Sequence, residues 1–215
     1  MSYLEPIKSQ STTQKVLLTL REAIYTQKLK AGQRIAQNEL AKQLNVSITP
    51  VREALMTLEN EQLVKIEPHK ETIILGVTQK YIQDYYQARS VLESYLVADI
   101  CNRKLDLALI EEAFKDMEDI IDKREFHKYG DANIAFHRAI QVTADNHFIA
   151  NLLSQIHISK SNARDDSLEK YDLQSFKEHQ AIMKYLRLYD AKNASKEMGN
   201  HLLRSMNDML TYFAE

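Results

Sequence analysis

The chain has 215 residues, 44% apolar and 27% charged, with a net charge of -2 and a single cysteine, Cys101. This is the composition of an ordinary soluble protein of one large or two small domains; it excludes an intrachain disulfide and argues against thiol chemistry. No run approaches a membrane span, and the first residues lack a basic segment followed by an apolar one, so neither anchor nor secretion signal is expected and the cytoplasm is the expected location. Charge divides as +2 over residues 1–76 and -4 over residues 77–215. That excess is too weak to indicate nucleic acid by itself.

Residues 1–10 read as a flexible arm. From Thr12 or Thr13 a helix is expected to about Leu29, burying Val16, Leu17, Leu20, Ile24 and Tyr25. Gly32 supplies a turn, and Arg34-Ile35 leads into a short helix over Asn38–Leu44. Asn45, a residue that accepts left-handed backbone, is expected to end it. A second helix follows, with Val51, Leu55 and Leu58 at i, i+4 and i+7 on the buried side and Thr49, Arg52, Glu53 and Met56 on the other. Thr49 can cap it with Pro50 at the first helical position, and Ser47 is the alternative cap. Helix, tight turn, helix is the arrangement that places an N-terminal helical face in a major groove. Leu63–Ile66 and Thr72–Leu75, joined by Glu67-Pro68-His69-Lys70-Glu71, predict a two-stranded hairpin with a polar tip. Residues 11–76 therefore read as a winged helix-turn-helix.

The stretch Val46-Ser47-Ile48-Thr49-Pro50-Val51-Arg52-Glu53-Ala54-Leu55, with Leu63-Val64 eight residues on, resembles the recognition-helix signature of GntR-type bacterial transcription regulators. The resemblance covers most of residues 12–77 and implies operator contacts for Thr49 and Arg52. The expected DNA-binding set is Arg34, Asn38, Ser47, Thr49 and Arg52, with His69 and Lys70 on the wing. Ile48 and Asn38 stand where the family commonly has Arg, and Glu71 where the wing usually has Gly. A surface ion pair with Glu53 or Glu59 is the alternative role for Arg52, and a solvated loop the alternative for His69 and Lys70.

Residues 77–79 read as a linker, and residues 80–215 as an antiparallel all-helical bundle. Six helices are expected, at about 78–101, 105–124, 126–143, 146–163, 172–189 and 191–213, with breaks at Asn102, Asp145-Asn146, Asp165-Asp166-Ser167 and Asp190. Asn133 and His137 are i and i+4, sharing one helix face, while His179 and His201 lie on the fifth and sixth helices. In an up-down bundle these imidazoles could converge on one point and suit zinc, nickel or a similar divalent ion, although satisfied core histidines are the commoner outcome of such spacing.

The patterns Asn133-x-x-Phe136-His137-Arg138-x-Ile140, Glu178-His179-x-x-Ile182, and Asp190-x-x-x-Ala194 with His201 resemble the FCD effector-binding domain of the FadR/VanR branch of those regulators, with six helices as in the VanR type. The resemblance implies a metal held by Asn133, His137, His179 and His201, zinc being the first expectation, whose open positions take an effector carboxylate. Arg89 matches an Arg common in that domain; it either pairs with the effector or with Glu93 at i+4. His127, His147 and His157 fit no part of the pattern.

The expected protein is mainly α and is a transcription regulator, a repressor, acting as a homodimer on a palindromic duplex operator under control of a small organic acid. It is not expected to be an enzyme. A metalloenzyme with an appended DNA-binding module is the alternative, weakened because no general-base motif accompanies the proposed ligands. A winged helix used only for protein contacts is a third reading.

Overall fold

In the computed structural model, which describes residues 11–68, 71–155 and 167–214, helix α1 spans Thr12–Tyr25. The Ser11 hydroxyl caps it, accepting from Gln14 N at 3.2 Å. The helix stops four residues before the expected Leu29. Thr26 turns its hydroxyl onto Glu22 O, and Gln27 enters the left-handed region at φ 55°, reversing the chain. Its buried face is Val16, Leu20, Ile24 and Tyr25.

Strand β1 (Arg34–Ala36) leads into α2 (Gln37–Gln43), and α3 spans Ile48–Asn60. Asn45 is left-handed at φ 51°, with Asn45 N on Lys42 O and Val46 N on Ala41 O, the paired bonds of a Schellman turn. Ser47, not Thr49, is the N-cap of α3. Ile48 is thus the first helical residue and Pro50 the third, so Ser47 has lost the third-position N–H that a serine cap would accept from, and its hydroxyl makes no cap bond. Val51, Ala54, Leu55 and Leu58 are at most 1% exposed, and α3 packs them mainly on α1. Each buried leucine contributes about 1.5–3 kcal/mol. Arg21 grips Glu61 through two nitrogens, at 3.1 and 2.5 Å, fastening α1 to the end of α3.

Strands β2 (Val64–Ile66) and β3 (Glu71–Ile74) form the expected hairpin, but the sheet has three strands in the order β1-β3-β2, all antiparallel. Arg34 lies opposite Ile73 and Lys65 opposite the same residue on the other edge. The addition of β1 buries Ile35 beneath the sheet. His69 and Lys70 lie outside the described residues.

Contacts divide the chain between Thr78 and Gln79. The second unit holds, among the described residues, six α-helices: α4 (Gln79–Arg103), α5 (Ala108–Asp122), α6 (Tyr129–Ala144), α7 (His147–Gln155), α8 (Ser167–Arg187) and α9 (Ala191–Ala214). A 3-10 turn, Phe126–Lys128, precedes α6 where the helix itself was expected to begin. Asn102 does not break α4; the break is the left-handed Lys104. Ser167 belongs to α8, which starts five residues earlier than expected. The longest interface joins α4 to α9. They run antiparallel: Ser94 donates to Ser195 O at 3.0 Å, and Gly199 faces Ser90 and Ser94. No helix among the described residues is long and apolar enough to cross a membrane.

Candidate metal centre and nucleic-acid interface

Helix α3 of the first unit has a clean division of faces. Opposite its buried stripe, Thr49, Arg52, Glu53 and Met56 are exposed, as are Ser47 just ahead of the helix and Asn38 on α2. Glu53 accepts the Thr13 hydroxyl at 2.7 Å, and Glu59 accepts Ile66 N at 2.7 Å. Both carboxylates considered as partners for Arg52 are therefore engaged elsewhere, and among the described residues Arg52 forms no ion pair. Arg34 is paired with Glu71 at 3.2 Å, both more than half exposed, a contact worth little.

In the second unit the polar groups are inside. Glu93 on α4, His137 on α6, His179 on α8 and His201 on α9 are each no more than 4% exposed, in a core otherwise made of residues such as Phe136, Ile140, Met198 and Leu202. The three histidines offer ligand atoms that all lie within 4.8 Å of one another. His137 Nε2 is 3.3 Å from His201 Nε2 and 3.5 Å from His179 Nε2.

The outward nitrogens are all engaged. His137 Nδ1 donates to Glu93 Oε2, His201 Nδ1 donates to Glu178 Oε2 at 2.8 Å, and His179 Nδ1 meets the Tyr129 hydroxyl at 3.3 Å. Because an ionised carboxylate only accepts, His137 and His201 each carry a proton on Nδ1, and both rings turn Nε2 inward. Two Nε2 atoms at 3.3 Å repel unless a proton or a cation stands between them. Asn133, one turn before His137 on α6, has a buried Oδ1 with no hydrogen-bond partner among the described residues. Three imidazoles converging on one point are donors that fit a divalent ion of the zinc type.

The electrostatics favour the same donor state. Burial lowers His179 well below the ordinary histidine value, helped by His201, His137 and Arg204. Burial, then His137 and Arg204, does the same to His201. Burial alone would raise the Glu93 carboxyl, but Arg89 and His137 outweigh it and hold the group far below the usual carboxylate range. Arg89 Nε lies 2.5 Å from Glu93 Oε1, with the guanidinium 5.6 and 5.8 Å from the Tyr85 and Tyr86 ring centres. The pairing of Arg89 with Glu93, one of the two roles open to it, is formed. Cys101 is buried, and its thiol is pushed up to about 11 by burial and Asp190.

Glu93, Glu178, Tyr129 and Arg204 were not expected at this centre. The signal available was that a ligating histidine usually gives its second nitrogen to a carboxylate, and each of these four sits on a helix already carrying a candidate ligand or Arg89.

Comparison with known families matches residues 12–74 to bacterial regulatory proteins of the gntR family and residues 84–204 to the FCD domain. The chain belongs to the GntR family, in its FCD-domain branch. The gluconate operon transcriptional repressor of Bacillus subtilis is 30% identical over 146 residues, which is 65% of this chain and 58% of the repressor. The chain thus spans less than two thirds of that relative. The HTH-type transcriptional regulator McbR of Escherichia coli is 25% identical over 195 residues, 90% of this chain and 87% of McbR. The solved structure of E. coli McbR/YncC superposes with a TM-score of 0.69 at 19% identity, covering 96% of this chain and 100% of that one, a likeness of fold. The matched families and these relatives are regulators, not enzymes.

Proposed function

We propose that this GntR-family chain is a DNA-binding transcription regulator, acting as a cytoplasmic homodimeric repressor on a palindromic duplex operator, and that a small organic acid bound at a metal centre in the helical domain controls its operator affinity. The observation that carries the DNA reading is the split of α3, whose apolar side is at most 1% exposed while Ser47, Thr49 and Arg52 face solvent at its amino-terminal end. Arg34 and Asn38, and His69 and Lys70 on the wing, complete the proposed contact set. The named repressor among the relatives favours repression over activation.

In this reading Asn133, His137, His179 and His201 hold the ion, zinc in the first instance. Bound there, a divalent ion supplies a positive centre for a carboxylate oxygen. The chain's own part is to keep His179 and His201 neutral and to hold all three imidazoles turned inward and sheltered from water. The effector acts by its different affinity for the DNA-competent and incompetent states.

The test is fluorescence anisotropy of the full chain on a duplex selected from a random pool, over a range of salt. Binding that weakens steeply with salt is expected. Arg52→Ala should cost about 1–3 kcal/mol if Arg52 reads a base. Zn2+ with a panel of small mono- and dicarboxylates should then release the duplex. Salt-insensitive or absent duplex binding refutes the regulator reading, and turnover of a carboxylate would restore the metalloenzyme.

A further inference from the structure

Two chains of side chains approach the three-histidine centre in the same order, from different helices. In the first, Arg89 and Glu93 stand one turn apart on α4, and Glu93 reaches across to His137 on α6. In the second, Arg204 on α9, which also pairs with Asp208, lies 2.5 Å from Glu178 Oε1 on α8, an ion pair without hydrogen-bond alignment; Gln174 donates to that same oxygen at 3.0 Å, and Glu178 Oε2 takes the Nδ1–H of His201 at 2.8 Å. Guanidinium, carboxylate, imidazole is the order both times. The outer partner of the third histidine, His179, among the described residues is the neutral Tyr129 hydroxyl at 3.3 Å.

We infer that Glu93 and Glu178 are positioning residues of this centre: each, with an arginine beside it, takes the Nδ1–H of one histidine and so turns that ring's Nε2 toward the shared point. The inference rests on the metal reading and adds to it the residues that set ligand orientation.

The position of Glu93 argues against an incidental contact. It is 0% exposed on the stripe of α4 that also carries Tyr86, Leu96, Val97 and Ile100, where an apolar residue would pack without penalty. A carboxylate buried there is unfavourable unless charge and hydrogen bonds offset its desolvation. Arg89 offsets the charge, and His137 takes the remaining oxygen. An imidazole without an outer partner can rotate by half a turn and present either nitrogen. With an acceptor-only partner on Nδ1, the tautomer and the ring orientation are fixed together. Arg89 and Arg204 act on the centre through these carboxylates. His137 and His201 are the two firmly oriented ligands, and His179 is the looser one.

The experiment joins 15N NMR of histidine side chains in the metal-free full chain with Zn2+ affinity by chelator competition. In the wild type, His137 and His201 should be Nδ1–H tautomers. Glu93→Gln and Glu178→Gln should each lower Zn2+ affinity about 10–100-fold and mix the tautomer of their own histidine, leaving the other as it was. Glu178→Asp should restore part of the loss at His201. Where Glu93→Gln fails to fold, Glu178→Gln decides, since Glu178 is 19% exposed at its side chain and tolerates change more readily. Unaltered tautomers and affinity in a folded variant overturn the positioning role while leaving the metal reading intact. A wild type that takes up neither Zn2+ nor Co2+ overturns both.

Discussion

Acidification should destabilise the metal-free helical domain over a pH range set by two buried histidines. Burial, reinforced by neighbouring imidazoles and Arg204, lowers His179 and His201 well below their ordinary value of 6.5 in the folded state. The unfolded chain takes up those two protons near that value. Below it the unfolded state therefore binds more protons than the folded one, and stability falls with pH. Each proton difference contributes about 1.4 kcal/mol per pH unit. Two groups acting together remove at most about 3 kcal/mol between pH of about 7.5 and 5.5. The corresponding fall in melting temperature is at most roughly 6–12 °C for a chain of this size. Glu93, also lowered on folding, acts in the same direction only below its ordinary value of 4.5, so the higher range isolates the histidines. The assay is thermal unfolding of chelator-treated protein, followed by near-ultraviolet circular dichroism. A melting temperature that stays flat across this range refutes the reasoning. So does an unchanged slope in a chain carrying both His179→Leu and His201→Leu.

Two further outcomes follow from the first unit. Leu58→Ala removes a 0% exposed side chain between α3 and its neighbours and should cost about 2–5 kcal/mol, read by urea titration as early loss of duplex binding while the signal of the helical domain persists. Asn45 at φ 51° predicts a ranking by thermal denaturation in which Asn45→Gly matches or exceeds the wild type and Asn45→Val loses about 1–2 kcal/mol; an indifferent Val would contradict the left-handed turn.

What was legible in the sequence is what repeats or is chemically marked. The i, i+4, i+7 stripe of α3 placed that helix, and Asn45 marked its turn because few residue types accept that backbone. The third strand was not legible: Arg34–Ala36 is three residues with one buried side chain, too short for alternation to register, and only pairing with β3 makes it a strand. Helix ends failed for a related reason. Gln27, Lys104, Arg124 and Tyr189 all adopt left-handed backbone without being Gly or Asn, so the surrounding packing, not the local residue, dictates the break. The same limit governs the centre. Spacing could place His137, His179 and His201 on facing helices, but which nitrogen each ring turns inward depends on Glu93 and Glu178, groups 44 and 23 residues away in the chain. Glu93 pairs with Arg89 one turn back on α4, so from spacing alone it reads as an ordinary ion pair; only the fold brings His137 to its second oxygen. An acidic residue on the apolar stripe of a helix is therefore the feature to follow in such chains. Its burial requires a cation and a donor, and here the donor is one of the three histidines.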